Sequence, residues 1–360
     1  MQKESFTNSP FRGNPSFTGT GALEQITDRP KGPRRRSREC GIIIGSHPTG
    51  PLKAITDVAD VRVGHCTLIE GARTRTGATA ILPHRGNHFA QKTPAGLAVL
   101  NGFGKFAGAT QIMELGQIET PILRTNTLAT GRAIEALIAH TLAQNSNELV
   151  VSLNAVVGET NDSRLNGIRA PRPSVDEMTA ALTAATGGQV AEGAVGAETG
   201  TVAFGMKGGI GTASRRVGDH MLGVLVQSNF GGTLRIDGIA VTAPRQPHDA
   251  DGSIVIVLAT DAPMSAHNLE RLAMRSFGGL ARTGAALPDG SGDYALAFST
   301  DRSGTAPLAH DAMSPFFEAT IEATEEAILN SLLMAADMER FDAARNRPSR
   351  IMALRLPHMF

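Results

Sequence analysis

The sequence predicts an α/β protein whose sheets are covered by helices on their outer faces. Three observations predict this class. Apolar residues make up 41% of the 360 positions, enough for a sizeable core, and aromatic residues make up only 4%, so that core is aliphatic. Short apolar segments bounded by Gly or Pro lie between helical patterns. Several of these segments are apolar on both faces, which is typical of a sheet covered on both sides.

The first 38 residues are predicted to form a disordered extension, followed by a single domain at 39–360. The extension is polar, has no helical or strand period, and ends in the basic cluster Lys31–Arg38, which we interpret as a solvated tail. It lacks the apolar core of a secretion signal. The two cysteines, Cys40 and Cys66, provide neither a disulfide framework nor a zinc site. We therefore expect a cytoplasmic protein.

Within the domain, the elements can be predicted in chain order from apolar patterns and capping residues. The predicted strands are Val61–Val63, Ala78–Leu82, Gly96–Leu100, Leu149–Val157, Met221–Gln227, Ile254–Thr260 and Tyr294–Ser299. The predicted helices are Thr127–Gln144, a segment from the Ser174 capping box to about Gly187, Ser265–Ala281, and a segment capped by Ser314 that ends near Ala336. The stripe of the first helix consists of Ile134, Leu137, Ile138 and Leu142.

Charge and hydropathy exclude several classes of function. Lys and Arg together number 34, as do Asp and Glu, so the chain has no basic footprint for nucleic acid. No apolar run approaches the roughly 18 residues that cross a bilayer. The Gly-rich segment Gly205–Thr212 lacks the spacing of a phosphate-binding loop.

The most informative segment is Gly252-Ser253 at the start of a strongly apolar strand. Read alone, it is an ordinary junction of loop and strand. The alternative is a self-cleavage site, because a serine hydroxyl can attack the carbonyl of the preceding residue, and a glycine there has no Cβ to obstruct the attack. Cleavage would leave Ser253 with a hydroxyl and a free α-amine.

Four further polar residues, in three segments, adjoin predicted strands. Ser291 and Asp293 are two residues apart on an extended segment and therefore point the same way, as a hydroxyl–carboxylate relay would. Asn229 ends a strand, where an amide can donate to an oxyanion. Glu159 directly follows a buried strand, where a carboxylate can hold a substrate ammonium. Read alone, the Ser291–Asp293 segment and Asn229 also fit ordinary turn chemistry, and Glu159 also fits a solvated loop acid.

Taken together, these segments resemble the self-processing aminopeptidases typified by L-aminopeptidase D-Ala-esterase/amidase and the β-peptidyl aminopeptidases. The resemblance runs from about Ile55 to Thr300. It is carried by the segments Ile55–His65, Asn101–Gly108, Glu119–Asn126, Gly208–Ser214, Asn229-Phe-Gly, Gly252-Ser253 and Ser291-Gly-Asp293. Their order and spacing make the resemblance specific.

The resemblance implies a four-layer α-β-β-α sandwich like that of N-terminal-nucleophile hydrolases, with its own connectivity. It implies cleavage between Gly252 and Ser253 into chains 1–252 and 253–360, a homo-oligomer of the processed pair, and no metal or organic cofactor. Ser253 is then the nucleophile, Ser291 and Asp293 assist proton transfer, and Asn229 stabilises the oxyanion.

For substrate binding, the resemblance implies that Glu159 holds the ammonium of a peptide, amide or ester substrate, with Asn161 beside it. Two positions depart from the family. β-Peptidyl members tend to have Glu where Asp293 stands, and some members have an aromatic hydroxyl where Asn161 stands. Two alternatives remain open: an amide hydrolase or acyltransferase for β-amino or synthetic amide oligomers, and a non-enzymatic binding protein.

Overall fold

The computed structural model describes residues 33–241, 252–342 and 347–356. In chain order the strands are β1 (Arg62–Glu70), β2 (Thr74–Leu82), β3 (Thr93–Gly102), β4 (Phe106–Ala107), β5 (Gln117–Ile118), β6 (Ile122–Asn126), β7 (Val156–Thr160), β8 (Val202–Ala203), β9 (Met206–Lys207), β10 (Ile210–Val217), β11 (His220–Asn229), β12 (Arg235–Ile236), β13 (Ile239–Ala240), β14 (Ser253–Thr260), β15 (Gly292–Ser299), β16 (Met338–Asp342) and β17 (Arg347–Ile351). The α-helices are α1 (Ala109–Leu115), α2 (Thr130–Leu142), α3 (Val175–Thr183), α4 (Ala266–Arg282) and α5 (Ser314–Leu333).

Two sheets carry most of these strands. The first sheet has the order β1-β2-β6-β7-β4, and the second has the order β10-β11-β14-β15-β3-β5. In the second sheet, β14 lies between β11, to which it is antiparallel, and β15, to which it is parallel. The start of β14, the end of β11 and the start of β15 therefore lie side by side at one end of the strands of this sheet.

Apolar side chains pack in three layers, two outside the sheets and one between them. Leu123 of the first sheet packs in one cluster with Leu137 of α2 and Met178 of α3. On the second sheet, Ile256 clusters with residues of α4 and α5. Between the sheets, Val255 belongs to a third cluster that joins both. The fold is thus a four-layer α-β-β-α sandwich, which confirms the predicted class.

Side-chain caps at Ser174 and Ser265 mark where α3 and α4 begin, and the structure corrects two predicted helix ends. Ser174 accepts from the Glu177 amide and Glu177 accepts from the Ser174 amide, as the capping box predicts, but α3 ends at Thr183. Ser314 is already helical with Met313 as the N-cap, so the predicted cap of α5 is wrong by one residue. No helix in the described part of the chain is long and apolar enough to cross a bilayer.

Two apolar patterns led to wrong expectations about burial. The predicted strand Leu149–Val157 begins only at Val156, and Leu149 and Val151 are 92% and 98% exposed in the irregular segment before it. The buried face of α2 is mostly small residues, two alanines and two threonines beside Leu137, while Ile138 and Leu142 of the expected stripe are 36% and 43% exposed. Small side chains allow this helix to approach the sheet closely.

The folded unit begins before residue 39, so the predicted end of the extension is wrong. Arg34 donates to the carbonyl oxygens of Leu332 at 3.2 Å and Leu354 at 2.9 Å. Arg36 pairs with Glu192 at 2.7 Å. Arg38 pairs with Glu326 at 2.9 Å. Arg34, Arg36 and Arg38 of the basic cluster are therefore bound to carboxylates and carbonyl oxygens of the folded domain, and the expected solvated tail does not extend to them. Residues 1–32 lie outside the described residues.

Candidate active site

Sheet register brings the sequence-predicted residues Ser253 and Asn229 together. Ser253, the first residue of β14, is directly opposite Asn229, the last residue of β11. On its other side Ser253 is opposite Gly292, which lies between Ser291 and Asp293. Residues far apart in sequence therefore meet at one strand end because β11, β14 and β15 pair in this register.

The Ser253 hydroxyl is held by a backbone donor that the sequence analysis did not identify. The Gly292 amide donates to Ser253 Oγ at 3.1 Å. Ser253 is half-buried at the cleft wall. No sequence signal pointed to Gly292, because the donor depends on the parallel pairing of β14 with β15.

Gly252 lies against the backbone of the neighbouring strand end. A Cβ at this position would be 2.0 Å from the Asn229 carbonyl oxygen and 2.5 Å from Phe230 Cα. Neither backbone atom can move aside as the end of a flexible side chain can. The close approach therefore explains why a glycine precedes Ser253.

Ser291 and Asp293 form the predicted hydroxyl–carboxylate pair. Ser291 Oγ donates to Asp293 Oδ1 at 2.6 Å, and both residues are buried. Burial raises the pKa of the Asp293 carboxyl, and this rise is opposed by the hydrogen bonds from the Ser291 hydroxyl and the Ile254 amide. The pair flanks Gly292, the residue opposite Ser253 in the sheet. Gly290 of the same turn is among the residues that line the cleft, whereas Ser291 and Asp293 are not.

Asn229 is buried, and its side chain is oriented by a backbone group. Its Oδ1 accepts a hydrogen bond from the Val202 amide at 3.2 Å. This contact uses the acceptor end of the amide, so the donor end, Nδ2, is directed away from Val202. Because Asn229 also lines the cleft, it can present a donor to a substrate oxygen.

Glu159 and Asn161 approach the cleft from the first sheet. Glu159 lies near the end of β7, is buried, and accepts through Oε1 from the Lys105 amide at 2.9 Å. Lys105 Nζ lies 3.3 Å from the same oxygen. Asn161 is exposed and uses its Oδ1 to accept from the Ser163 amide at 2.9 Å.

Ser253, Asn229, Glu159 and Asn161 line one cleft between the ends of the two sheets, with a volume of about 840 Å³. The described residues that line it are Gly102, Phe103, Gly104, Lys105, Thr127, Glu159, Asn161, Ser163, Arg164, Asn229, Gly252, Ser253 and Gly290. A hydroxyl, an amide and a carboxylate therefore face one space large enough for a short peptide.

A buried polar network ties the two sheets together next to the cleft. Arg124 of β6 reaches across the interface, donates to the Val255 carbonyl, and donates through Nε to Gln227 Oε1 at 3.1 Å. Gln227 donates in turn to Thr160 Oγ1 at 2.9 Å. These contacts hold the ends of β6 and β7 against the start of β14. The sequence signal for them is Arg124 itself, a charged residue in the strand Ile122–Asn126, all of which is buried.

Within the described ranges, no group of three or more His, Cys, Asp or Glu side chains is arranged to hold a metal ion. The chemistry that the cleft residues themselves offer is acyl transfer. A hydroxyl with a backbone donor can attack a carbonyl carbon, and an amide beside it can donate to the resulting oxyanion.

Comparison with known proteins agrees with this chemistry. The model of peptidase family S58 matches residues 53–346. Beta-peptidyl aminopeptidase BapA of Sphingosinicella xenopeptidilytica is 37% identical, with 89% of this chain and 92% of that protein covered. The beta-aminopeptidase structure from Burkholderia sp. is 39% identical with a TM-score of 0.81, and the similarity covers 89% of this chain and 95% of that one.

A third relative connects the fold to a mechanism. The L-aminopeptidase D-Ala-esterase/amidase structure from Ochrobactrum anthropi is 33% identical with a TM-score of 0.80, covering 89% of this chain and 95% of that one. It is described as a prototype for the serine aminopeptidases and a new variant of the Ntn hydrolase fold. The matches decide against the non-enzymatic alternative. The chain belongs to peptidase family S58 and is a self-processing serine aminopeptidase that hydrolyses peptide bonds.

Proposed function

We propose that Ser253 is the nucleophile of both self-cleavage and peptide hydrolysis, and that cleavage after Gly252 yields chains 1–252 and 253–360. The observation that supports this most directly is the hydrogen bond from the Gly292 amide to Ser253 Oγ. A donor on the hydroxyl oxygen stabilises the negative charge that develops as the proton leaves.

Self-cleavage then proceeds through an ester. Ser253 Oγ attacks the Gly252 carbonyl carbon, the bond from that carbon to the Ser253 nitrogen breaks, and the nitrogen takes up a proton. Water hydrolyses the ester, which leaves a carboxylate on Gly252 and a free α-amine on Ser253. An α-amine has an ordinary pKa near 8, so it can act as a base toward its own hydroxyl.

In peptide hydrolysis the same hydroxyl forms an ester with the N-terminal residue of the substrate, and the remaining peptide leaves as an amine. Asn229 Nδ2 donates to the oxyanion of the tetrahedral intermediate. Ser291 and Asp293 assist the proton transfer. Glu159 binds the substrate ammonium at the other side of the cleft, and Asn161 lies beside it at the rim.

The first prediction concerns maturation. At about 105 Da per residue, from 37.7 kDa over 360 residues, the purified protein should give chains of about 26 and 11 kDa on a denaturing gel. Edman sequencing of the small chain should begin Ser-Ile-Val-Ile-Val. Ser253→Ala should stay at full length, because no hydroxyl remains to attack, while Ser299→Ala on the same sheet should be processed normally. A different N-terminus would contradict the assignment of Ser253.

The second prediction concerns the substrate amine. If Glu159 binds an ammonium, acetylation of the substrate N-terminus should lower kcat/KM by about 10- to 150-fold, the range of a charge-assisted hydrogen bond. The measurement compares free and acetylated aminoacyl p-nitroanilides on processed enzyme. Glu159→Gln should bring the two rates closer together. Equal rates on both substrates in the wild type would contradict the role of Glu159.

We also propose that the processed pair forms a homo-oligomer and resides in the cytoplasm. The exposed side chains of Leu149 and Val151 support association, because burying them against another copy would remove apolar surface from water. Both cysteines are free thiols, as is usual for proteins of a reducing compartment.

A further inference from the structure

The proposed amine-binding carboxylate already has a cation beside it. Lys105 Nζ lies 3.3 Å from Glu159 Oε1, with 52% of the Lys105 side chain exposed and 5% of the Glu159 side chain exposed. Both residues line the cleft that contains Ser253. The cleft thus presents a carboxylate and an ammonium side by side, with the carboxylate anchored and the ammonium on a flexible stem. Arg164 also lines the cleft but already has a partner of its own.

An ion pair of this kind complements a ligand that carries both charges on one carbon. The ligand's ammonium would meet Glu159, and its carboxylate would meet Lys105. A substrate with an ammonium alone must instead share the Glu159 carboxylate with Lys105, whose backbone amide and Nζ both contact Oε1, and it offers nothing to the Lys105 ammonium.

The position of the reacting carbonyl then selects the linkage. In a substrate with both charges on one carbon, the N-terminal residue places its α-ammonium on Glu159 and its α-carboxylate on Lys105. The carbonyl that Ser253 attacks must then belong to the side chain of that substrate residue. In a β-aspartyl peptide the scissile carbonyl is two bonds from that carbon. This is the spacing of amine and carbonyl in a β-amino acyl group.

We propose that Lys105 is a specificity-determining residue that makes N-terminal β-aspartyl peptides the favoured substrate class. The proposal rests on the proposed function, in which Ser253 is the nucleophile and Glu159 binds the amine. It assigns Lys105 to the α-carboxylate of the substrate. Hydrolysis then adds water across the β-amide bond and releases free aspartate and an amine.

The test uses two p-nitroanilides that differ by one group. β-Aspartyl-p-nitroanilide carries a carboxylate where β-alanyl-p-nitroanilide carries a hydrogen, and the rest of the acyl group is the same. For processed wild-type enzyme, the ratio of kcat/KM for β-aspartyl over β-alanyl substrate should exceed one. In Lys105→Gln this ratio should fall by about 10- to 100-fold, because a charge-assisted hydrogen bond is lost. α-Aspartyl-p-nitroanilide carries the same charges on a different linkage and should be the poorer aspartyl substrate.

Matched variants separate charge at this position from charge in general. Lys105→Arg keeps the cation and should retain the preference, while Lys105→Glu should lower the ratio further than Lys105→Gln. Lys53→Gln removes one positive charge from a residue that is not among those lining the cleft, and it should leave the ratio at the wild-type value. Processing of every variant is checked on a denaturing gel first.

A measurement on the wild type keeps the proposal testable even if the Lys105 variants do not mature. Free L-aspartate, the product, should inhibit β-alanyl hydrolysis more strongly than free β-alanine does. Turnover of the β-alanyl substrate with no β-aspartyl turnover, or with the same ratio in wild type and Lys105→Gln, would overturn the role of Lys105 alone. If fully processed wild type hydrolysed neither substrate, the proposed function would fail, and this proposal with it.

Discussion

Asn229 and Asp293 lie on opposite sides of Ser253 in the sheet, and they contribute to different parts of the proposed reaction. Asn229 is opposite Ser253 itself on β11, whereas Asp293 is opposite Ile254 on β15. The first offers a neutral donor, which matters only when negative charge appears on the substrate oxygen. The second offers a carboxylate, which acts through the Ser291 hydroxyl.

This difference predicts distinct kinetic effects at the two positions. Asn229→Ala should lower kcat by roughly 10²–10³-fold with little change in KM, because the lost interaction forms only in the transition state. Ser291→Ala and Asp293→Asn should lower kcat and also change its pH profile. The raised pKa of Asp293 places the acid limb above the ordinary aspartate value of 3.8, with the rate falling as pH falls through it. Asp293→Asn should remove this limb.

Two controls make the comparison decisive. The extent of processing is measured first, because the proposed self-cleavage passes through an oxyanion of the same kind and would use the same groups. Ser303→Ala, in the segment after β15, provides a serine substitution away from the cleft. Wild-type kcat in fully processed Ser291→Ala and Asp293→Asn would rule out the relay and leave the Ser253 α-amine as the base.

At the scale of the elements, strand ends rich in Ser, Asn, Asp and Gly could be predicted, because their chemistry is local. Ser253 and the Ser291–Asp293 pair were identified in this way. The donor at Gly292 was not, since it depends on which strands pair and in which register. The same limit applies to Arg124, whose partners Gln227 and Val255 lie more than 100 residues further along the chain.

Apolar composition also led to a wrong prediction of where one strand begins. Residues 149–155 have the composition of a buried strand, yet Leu149 and Val151 face solvent. The short helix α1 was missed because it has only seven residues, too few to show a periodic stripe. Composition indicates what a segment can bury, while the packing of its neighbours decides whether it is buried.

At the scale of the whole molecule, burial shifts the pKa values of several ionisable groups. Burial, with a smaller contribution from neighbouring titratable side chains, lowers the pKa of His65 to about 4 and that of His88 to about 3. Burial raises the pKa of Asp162 to about 6 and that of Glu192 to about 7. The two kinds of group affect stability in opposite directions as the pH changes.

The direction in which His65 changes the free energy of unfolding with pH follows from its proton binding in the folded and unfolded states. Between its ordinary pKa of 6.5 and its folded value of about 4, the unfolded chain binds a proton that the folded protein does not. The free energy of unfolding therefore falls as pH is lowered through this window, by at most about 1.4 kcal/mol per pH unit for one such group. Asp162 and Glu192 bind protons more tightly when folded, so in their own windows they favour the folded state as pH falls. A variant of one histidine isolates the contribution of that residue to the pH dependence of the free energy of unfolding.

His65→Gln should therefore reduce the loss of unfolding free energy between pH 7 and pH 5 by about 1–2 kcal/mol relative to the parent protein. The glutamine amide can still reach Thr79 Oγ1, which lies 2.9 Å from His65 Nδ1. Urea unfolding is best measured in a Ser253→Ala background at one protein concentration, because an intact chain cannot separate into two. His267→Gln, on the exposed face of α4, is the control and should follow the parent curve. An unchanged pH dependence in His65→Gln would mean that the buried imidazole takes up its proton in the folded and unfolded states alike.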